Sequence, residues 1–181
     1  MKDKLFNLLK SKSYRKVSEP VKLASGKFSD TFFDCKQTAL TSQGHYLIGK
    51  IIFNTIEKSD FDAIAAVELG GCFIASAVST IAYSRCNAED FNVVIVRKAV
   101  KDHGSKRLLE GNDSLKPGSK LILLEDVVTS GGSVIKAAET LRNAGYIVDK
   151  VFCLIDRQEG GKEALQAQGL ELVSLYVKSD F

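Results

Sequence analysis

The chain has 181 residues, of which 45% are hydrophobic and 26% charged, and its formal net charge is +3. This length fits one domain with a buried core, and the balance is typical of a globular protein rather than a disordered or fibrous one. So small a net charge does not indicate wholesale binding to nucleic acid or to a membrane surface. We expect one domain over residues 1–181, with a helix and lid in 1–60 and the core in 61–181.

The opening residues read MKDKLFNLLKSKSYRK. Their apolar stretch is short, Asn7 interrupts it, and no small-residue cleavage pattern follows, so it is not typical of a signal peptide. We predict an amphipathic helix whose apolar face carries Leu5, Phe6, Leu8 and Leu9. No apolar run elsewhere has the length of a membrane span, which favours a cytoplasmic protein.

The four cysteines are widely scattered, at Cys35, Cys72, Cys86 and Cys153. They form no C-x-x-C pair, and no clustered histidines complete a zinc site. Two disulfides remain an alternative by count, but four reduced thiols in or near the core are the favoured interpretation.

From about residue 60 onward, short apolar runs alternate with segments of helical periodicity. We predict strands at Asp62–Leu69, Phe91–Lys98, Lys120–Val127, Asp149–Arg157 and 171–178. The helices between them are predicted at 70–84, 133–145 and 161–169, with Gly145 as a C-terminal cap. Buried strands that alternate with helices indicate an α/β fold, with a central, mostly parallel sheet flanked by helices.

The first sixty residues follow a different pattern. Pro20–Cys35 is predicted to form two short strands around Ser25 and Gly26, as a small lid over the sheet. A helix is predicted over Ser42–Ser59, with Ser42 as its N-cap. The polar, glycine-containing stretch 99–119 has no predicted element, and a loop of this length in a compact domain is usually functional or mobile.

The segment 121–133, LILLEDVVTSGGS, carries the strongest chemical signal. Leu121–Leu124 form a buried strand, and Glu125 and Asp126 follow at the edge where open α/β sheets bind ligands. The turn 129–133 opens the next helix, and its backbone N–H groups and the helix dipole attract an anion. Carboxylates repel phosphate but accept hydrogen bonds from vicinal hydroxyls, so the combination suits a ribose 5-phosphate.

Other interpretations of this segment are weaker. A strand that ends in two solvated acids before an ordinary turn is the simple alternative. It does not explain why a strand, an acid pair, a glycine-rich turn and a helix follow one another in this order. The glycines are not followed by Gly-Lys-Ser/Thr, and no G-x-G-x-x-G occurs, so neither a P-loop nor a dinucleotide fingerprint is present.

The segment resembles the phosphoribosyl pyrophosphate (PRPP) motif of the type I phosphoribosyltransferases over its full length. The resemblance implies that Glu125 and Asp126 contact the ribose hydroxyls and that the turn binds the 5′-phosphate. It also implies that Asp126 takes part in catalysis. The PRPP-binding set expected in this segment is Glu125, Asp126, Val127, Val128, Thr129, Ser130, Gly131, Gly132 and Ser133.

Further segments are similar to orotate phosphoribosyltransferases: LASGKFSDTFFDCK, QTALTSQGHYLIGK, RKAVKDHGSKR and LIDRQEGG. The resemblance implies orotate contacts from Phe32, Phe33, Thr129 and Arg157. Adjacent aromatics in a strand point to opposite faces, so only one of Phe32 and Phe33 is free to stack on a base. The Arg157 guanidinium is expected to bind orotate in a bidentate manner, and an Asp156–Arg157 structural pair is the alternative.

The segment 97–107 is basic, with five Lys or Arg among its eleven residues. A solvated basic loop is the simple interpretation, but the family resemblance implies a flap that reaches the active site of the other subunit in a homodimer. Its expected PRPP contacts are Arg97, Lys98, Lys101 and His103, and Lys101 and His103 are expected to be catalytic.

Two positions depart from the family pattern. Some members carry lysines where this chain has Ala24 and Gly70. Both lysines would contact pyrophosphate, so backbone N–H groups of Gly70 and Gly71, or the side chains of Lys27 or Lys36, are the candidate replacements.

The resemblance implies transfer of phosphoribose from PRPP to orotate, giving orotidine 5′-monophosphate and pyrophosphate. Mg²⁺ is the expected cofactor, held mainly by PRPP and not by direct protein ligands. Two alternatives stay open. One is a phosphoribosyltransferase for another base, such as a purine, which Arg157 and the aromatic lid disfavour. The other is a PRPP-sensing regulator without turnover.

Overall fold

The computed structural model describes residues 1–22, 28–56, 61–86, 91–99 and 107–181. The helices are α1 (Lys2–Leu8), α2 (Lys36–Ala39), α3 (Ser42–Ile56), α4 (Gly70–Cys86), α5 (Gly132–Asn143) and α6 (Gly161–Ala167). The strands are β1 (Tyr14–Lys22), β2 (Phe28–Phe33), β3 (Ala63–Val67), β4 (Asn92–Val96), β5 (Leu109–Glu110), β6 (Lys120–Val128), β7 (Ile147–Asp156) and β8 (Glu171–Val177). A π-helical turn (Leu9–Ser13) follows α1, and a 3-10 turn (Lys178–Asp180) follows β8.

A six-stranded sheet forms the centre, in the order β5-β4-β3-β6-β7-β8. Strands β4, β3, β6, β7 and β8 run parallel, and β5 pairs antiparallel with β4 at one edge. The prediction of a mostly parallel sheet flanked by helices is confirmed. Among the described helices, none is long and apolar enough to cross a bilayer.

The sheet is buried on both faces because its central strands carry uninterrupted apolar runs, Ala63–Val67 in β3 and Leu121–Leu124 in β6. In β3, Ile64 and Ala66 face the layer of α1, α3 and α4, whereas Ala63 and Ala65 face α5 and α6. Period-two alternation thus builds two separate cores from one continuous apolar run. The cysteines whose side chains are described, Cys35, Cys72 and Cys153, are free thiols.

The lid is a separate two-stranded antiparallel hairpin, β1–β2. Its first strand begins at Tyr14, earlier than the predicted Pro20, because the polar run after the opening helix pairs with β2. Tyr14 lies opposite Phe33, and their rings pack at 5.2 Å between centroids. The two aromatic residues are distant in sequence, so the polar residues of the first strand did not reveal this contact. We call the β1–β2 hairpin the hood.

The start of α3 differs from the prediction by one residue. Ser42 is the first helical residue, and the N-cap is Thr41, whose Oγ1 accepts a hydrogen bond from the Gly44 backbone N–H at 3.1 Å. Both residues are good caps, so the sequence did not decide between them. Gly145, with φ of +90°, closes α5 as predicted.

Part of the stretch 99–119 is built into the sheet. Leu109 and Glu110 form the short edge strand β5, which the sequence did not predict. Beyond it, Asn112 Nδ2 donates a hydrogen bond to the Tyr146 hydroxyl at 3.2 Å. Two residues are too few to produce a strand periodicity, so only the pairing with β4 reveals this element.

Candidate active site

A cleft of about 460 Å³ lies where β3, β4 and β6 end, at the carboxyl edge of the sheet. Parallel sheets bind their ligands at this edge. The residues that line it come from α2, from the turn after β3, from the segment after β4, from the end of β6 and from the turn and first residues of α5. They are Lys36, Glu68, Leu69, Gly70, Lys98, Glu125, Asp126, Val127, Val128, Thr129, Ser130, Gly131, Gly132, Ser133, Val134 and Lys136.

The two acids of β6 lie in different environments. Glu125 is buried, with 7% of its surface exposed, whereas Asp126 is half-buried at the cleft. Glu125 Oε1 accepts the Asp126 backbone N–H at 3.0 Å, and Asp126 Oδ1 accepts that of Val127 at 2.9 Å. Burial raises the pKa of Glu125 well above the usual carboxyl range, and the neighbouring charge of Asp126 adds to this effect. Ionising Glu125 therefore opposes folding.

This raised pKa predicts a pH-dependent gain in stability for Glu125→Gln. Stability from the protonated acid is fully present below the ordinary pKa of 4.5 and is lost as the pH rises through the folded-state value. Each pH unit in that window lowers the free energy of unfolding by about 1.4 kcal/mol. In thermal melts of the ligand-free protein, the variant should exceed wild type in Tm at about pH 8 and approach it at about pH 5. A Tm difference that does not change with pH would contradict the raised pKa, and Glu171→Gln, at an exposed site, is the control.

Gly70 allows the turn after β3 to approach β6. A Cβ at this position would collide with the carboxyl group of Asp126. At Gly71, a Cβ would come within 2.7 Å of the Leu124 carbonyl oxygen. Gly70 stands where some family members carry a lysine, and its lack of a side chain makes room for the Asp126 carboxylate.

The glycine-rich turn begins α5 as predicted. Gly131 adopts the left-handed conformation with φ of +80°, and α5 starts at the next residue. Within the described chain, no side-chain hydrogen bond caps the first turn of α5. The turn borders the cleft, and the N-terminal backbone N–H groups of the 12-residue α5 supply the donors and dipole that an anion requires.

Two lysines, Lys36 and Lys98, bring positive charge to the cleft. Lys36 Nζ lies 2.6 Å from Asp34 Oδ1, and this hydrogen bond raises the pKa of Lys36. Lys98 lines the cleft at the end of β4, where its backbone N–H donates to Glu68 Oε1 at 2.7 Å. Of the candidates for the missing lysine charge, the structure thus places Lys36 in the cleft.

Arg97 lies in an adjoining groove of about 480 Å³ and not among the lining residues of the cleft. Its Nη1 lies 3.5 Å from Glu110 Oε1, and its buried Nε has no hydrogen-bond partner among the described residues. Lys98, Ser133 and Lys136 border both cavities, so the groove continues from the cleft.

Phe32 and Phe33, the two predicted aromatic contacts of the base, lie on opposite faces of the hood strand β2. In β2 the side chains alternate between exposed and buried, so Phe32 is 38% exposed while Phe33 is 7% exposed. The Phe33 ring packs in the core against Tyr14 and Phe181. Only Phe32 of the pair therefore presents a ring surface that is free to stack.

Arg157 is almost fully buried, with 3% exposure, and contacts the hood. Its Nη2 donates to Ser29 Oγ at 2.9 Å and to the Thr31 carbonyl oxygen at 3.1 Å. Its Nε and Nη2 both reach Glu159 Oε1, at 3.1 and 3.0 Å. The acid that pairs with Arg157 is thus Glu159 and not the alternative, Asp156. The Nε–Nη2 edge is occupied by Glu159 and is not free for a ligand, and the bidentate contact of Arg157 with orotate stays a prediction.

Known proteins share both the sequence and the fold that build this cleft. The model of the phosphoribosyl transferase domain family matches residues 37–168. The orotate phosphoribosyltransferase of Sorangium cellulosum (strain So ce56) is 46% identical over 181 residues, covering 99% of this chain and 92% of that protein. That of Methanocaldococcus jannaschii is 44% identical over 174 residues, covering 96% of this chain and 93% of that protein. This chain belongs to the orotate phosphoribosyltransferase family.

Solved structures of phosphoribosyltransferases share the fold. Orotate phosphoribosyltransferase of Mycobacterium tuberculosis H37Rv is 28% identical with a TM-score of 0.79, covering 99% of this chain and 97% of that chain. A phosphoribosyltransferase of Corynebacterium diphtheriae is 26% identical with a TM-score of 0.81, covering 99% and 96%. The type I phosphoribosyltransferase fold inferred from the motif is thus confirmed.

Several family positions lie outside the described residues. Lys101 and His103, the predicted catalytic residues of the flap, are among them, as are Ala24 and Lys27. Their roles in this chain stay predictions from the sequence.

Proposed function

We propose that this chain transfers the phosphoribosyl group of PRPP to orotate, giving orotidine 5′-monophosphate and pyrophosphate in pyrimidine (UMP) biosynthesis. The observation that carries the proposal is the cleft in which Asp126 adjoins the glycine turn 129–133, in a chain of this family. The turn binds the 5′-phosphate, and the acids accept hydrogen bonds from the ribose hydroxyls. Departure of pyrophosphate leaves positive charge on the ribose, which the Asp126 carboxylate stabilises.

Orotate recognition is assigned to Phe32, Thr129 and Arg157. Phe32 offers the exposed ring of the hood, and Thr129 borders the cleft. Arg157 follows β7, and its backbone N–H donates to the Val128 carbonyl oxygen at 2.9 Å, which places it beside the phosphate turn. These residues support a base subsite next to the ribose cleft.

Mg²⁺ is assigned to the substrate and not to a protein site. Among the described residues, no group of three or more His, Cys, Asp or Glu is placed to hold a metal ion. Glu68, Glu125 and Asp126 line the cleft but do not form such a group. When bound with PRPP, Mg²⁺ offsets the negative charge of the diphosphate.

A panel of bases tests the substrate assignment. Incubated with PRPP and Mg²⁺, the protein should consume orotate and leave adenine, hypoxanthine and uracil unchanged, as measured by separation of the products. Consumption of a purine in preference to orotate would replace the proposal with transfer to another base.

We propose further that the active protein is a homodimer in which the 97–107 flap serves the other subunit's cleft. The family resemblance of the basic segment supports this; within its own chain, Arg97 lies in the adjoining groove, whereas Lys98 borders both that groove and the cleft. Lys101 and His103 would then stabilise and protonate the departing pyrophosphate of the neighbouring site.

Mixing two inactive variants tests the shared site. A heterodimer of Lys101→Ala and Asp126→Asn chains contains one intact site and one that carries both changes. If equal amounts exchange at random, about a quarter of wild-type activity should return. No recovery after proven subunit exchange would contradict the shared site, and Lys101→Ala mixed with itself is the control.

A further inference from the structure

Glu159 is a charged residue that the proposed transfer does not yet use. It follows Arg157 by two positions, on the connection between β7 and α6. Its side chain is 17% exposed, and Oε1 receives both Nε and Nη2 of Arg157. Lys178 Nζ approaches the same oxygen at 3.5 Å. One oxygen of this partly buried carboxylate therefore has two cationic neighbours.

The guanidinium of Arg157 is held from several sides. On the side of the hood, Nη2 donates hydrogen bonds to Ser29 Oγ and to the Thr31 carbonyl oxygen. Glu159 accepts hydrogen bonds from the Nε–Nη2 edge. Arg157 Cζ lies over the Phe33 ring, 5.4 Å from its centroid. These contacts fix both the plane and the rotation of the fork, since a guanidinium is rigid and planar.

Nη1 is the end of the fork that remains for a ligand. It forms no hydrogen bond with any residue that the structure describes. An arginine carries five N–H donors in a fixed geometry, and the two on Nη1 point away from the edge that Glu159 holds. A ligand that approaches Arg157 in this arrangement meets Nη1.

We propose that Glu159 is a positioning residue for the base subsite, which holds Arg157 so that the pyrimidine meets its Nη1 group. The inference rests on the proposed function, in which Arg157 contacts orotate. Glu159 itself does not touch the base. Its carboxylate orients the fork and compensates a buried positive charge that would otherwise lack a partner.

Steady-state kinetics of Glu159 variants test this role. Glu159→Ala should raise the KM of orotate about tenfold, because Arg157 loses the acceptor that orients it. The KM of PRPP and the kcat at saturating orotate should stay near wild type. Glu159→Gln keeps an acceptor oxygen at the same reach, so it should recover most of the loss. Glu171→Ala, an exposed acid paired with Lys150, is the matched control.

A double-mutant cycle with Arg157→Ala separates this inference from the proposed function. If Glu159 acts through Arg157, adding Glu159→Ala to Arg157→Ala should not raise the KM of orotate further. Equal effects of Glu159→Ala in both backgrounds would overturn the positioning role. Tighter orotate binding by Glu159→Ala would also overturn it, because Glu159 would then compete with the substrate for Arg157.

Failure of the base assignment itself gives a different result. If Arg157→Ala leaves the KM of orotate unchanged while transfer continues, then Arg157 does not contact the base, and the inference falls with that assignment. If Arg157→Ala raises the KM and Glu159→Ala does not, only the role of Glu159 is wrong.

Discussion

Asp126→Asn is expected to lower kcat by about a hundredfold or more, with little change in Tm. The half-buried carboxylate borders the cleft at the end of β6, where the proposed reaction develops positive charge on the ribose. Asparagine keeps an oxygen that can accept the Val127 backbone N–H, now bonded to Asp126 Oδ1 at 2.9 Å. The substitution therefore removes the charge and retains the local geometry.

The measurement is kcat with saturating PRPP and orotate, together with a thermal melt. Asp149→Asn is the matched control, since Asp149 lies near the start of β7 and pairs with Lys120 at 3.4 Å. It should keep wild-type activity. A fully active Asp126→Asn enzyme would show that this carboxylate does not stabilise the transition state.

Gly70→Ala should lower kcat/KM for PRPP by about a hundredfold, since a displacement of about 1 Å at a reacting centre has effects of this size. The added Cβ would collide with the Asp126 carboxyl group and force it, or the turn after β3, to move. Both the acid and the pyrophosphate end of the cleft would be displaced. The variant thus tests whether position 70 requires a glycine rather than merely lacking a lysine.

The control for this variant is Gly169→Ala. Gly169 has φ of +67°, and no atom lies within 4 Å of the place that a Cβ would take, so alanine there strains the backbone without a collision. It should lose about 1–2 kcal/mol of stability and keep its activity. If Gly70→Ala retained wild-type kcat/KM for PRPP, the close approach of Gly70 to Asp126 would have no catalytic importance.

The sheet and its helices were predictable because their signals are local. Ala63–Val67 and Leu121–Leu124 are uninterrupted apolar runs, and each is buried on both faces in the structure. The phosphate turn was equally readable, because Gly131 and Gly132 stand directly before a helical pattern. Strand, turn and helix are each determined by residues that are adjacent in sequence.

The contacts that the sequence did not reveal join distant segments. Arg157 meets Ser29 across 128 positions, and this contact and the one with Glu159 hold a guanidinium that the sequence alone presented as free for the ligand. The pairing of Tyr14 with Phe33 likewise extends the hood beyond its predicted start. The only sequence signal for Glu159 was its place in LIDRQEGG, beside an arginine that was assigned to the ligand.

In the cleft, too, the sequence identified positions whose roles depend on contacts between distant segments. Position 70 was identified as a departure from the family, but its physical meaning depends on the Asp126 side chain, which belongs to another strand. Lys36 was one of two candidates for the missing charge, and its place among the cleft residues became visible only in the folded chain.

The most direct test of the proposed transfer is the loss of orotate absorbance when the protein is mixed with PRPP and Mg²⁺. We expect orotate to disappear at a rate proportional to protein concentration, with pyrophosphate formed in equal amount, and we expect Asp126→Asn to suppress both. PRPP binding without any loss of orotate, under conditions where an authentic family member turns over, would contradict the transfer and favour a PRPP-sensing regulator.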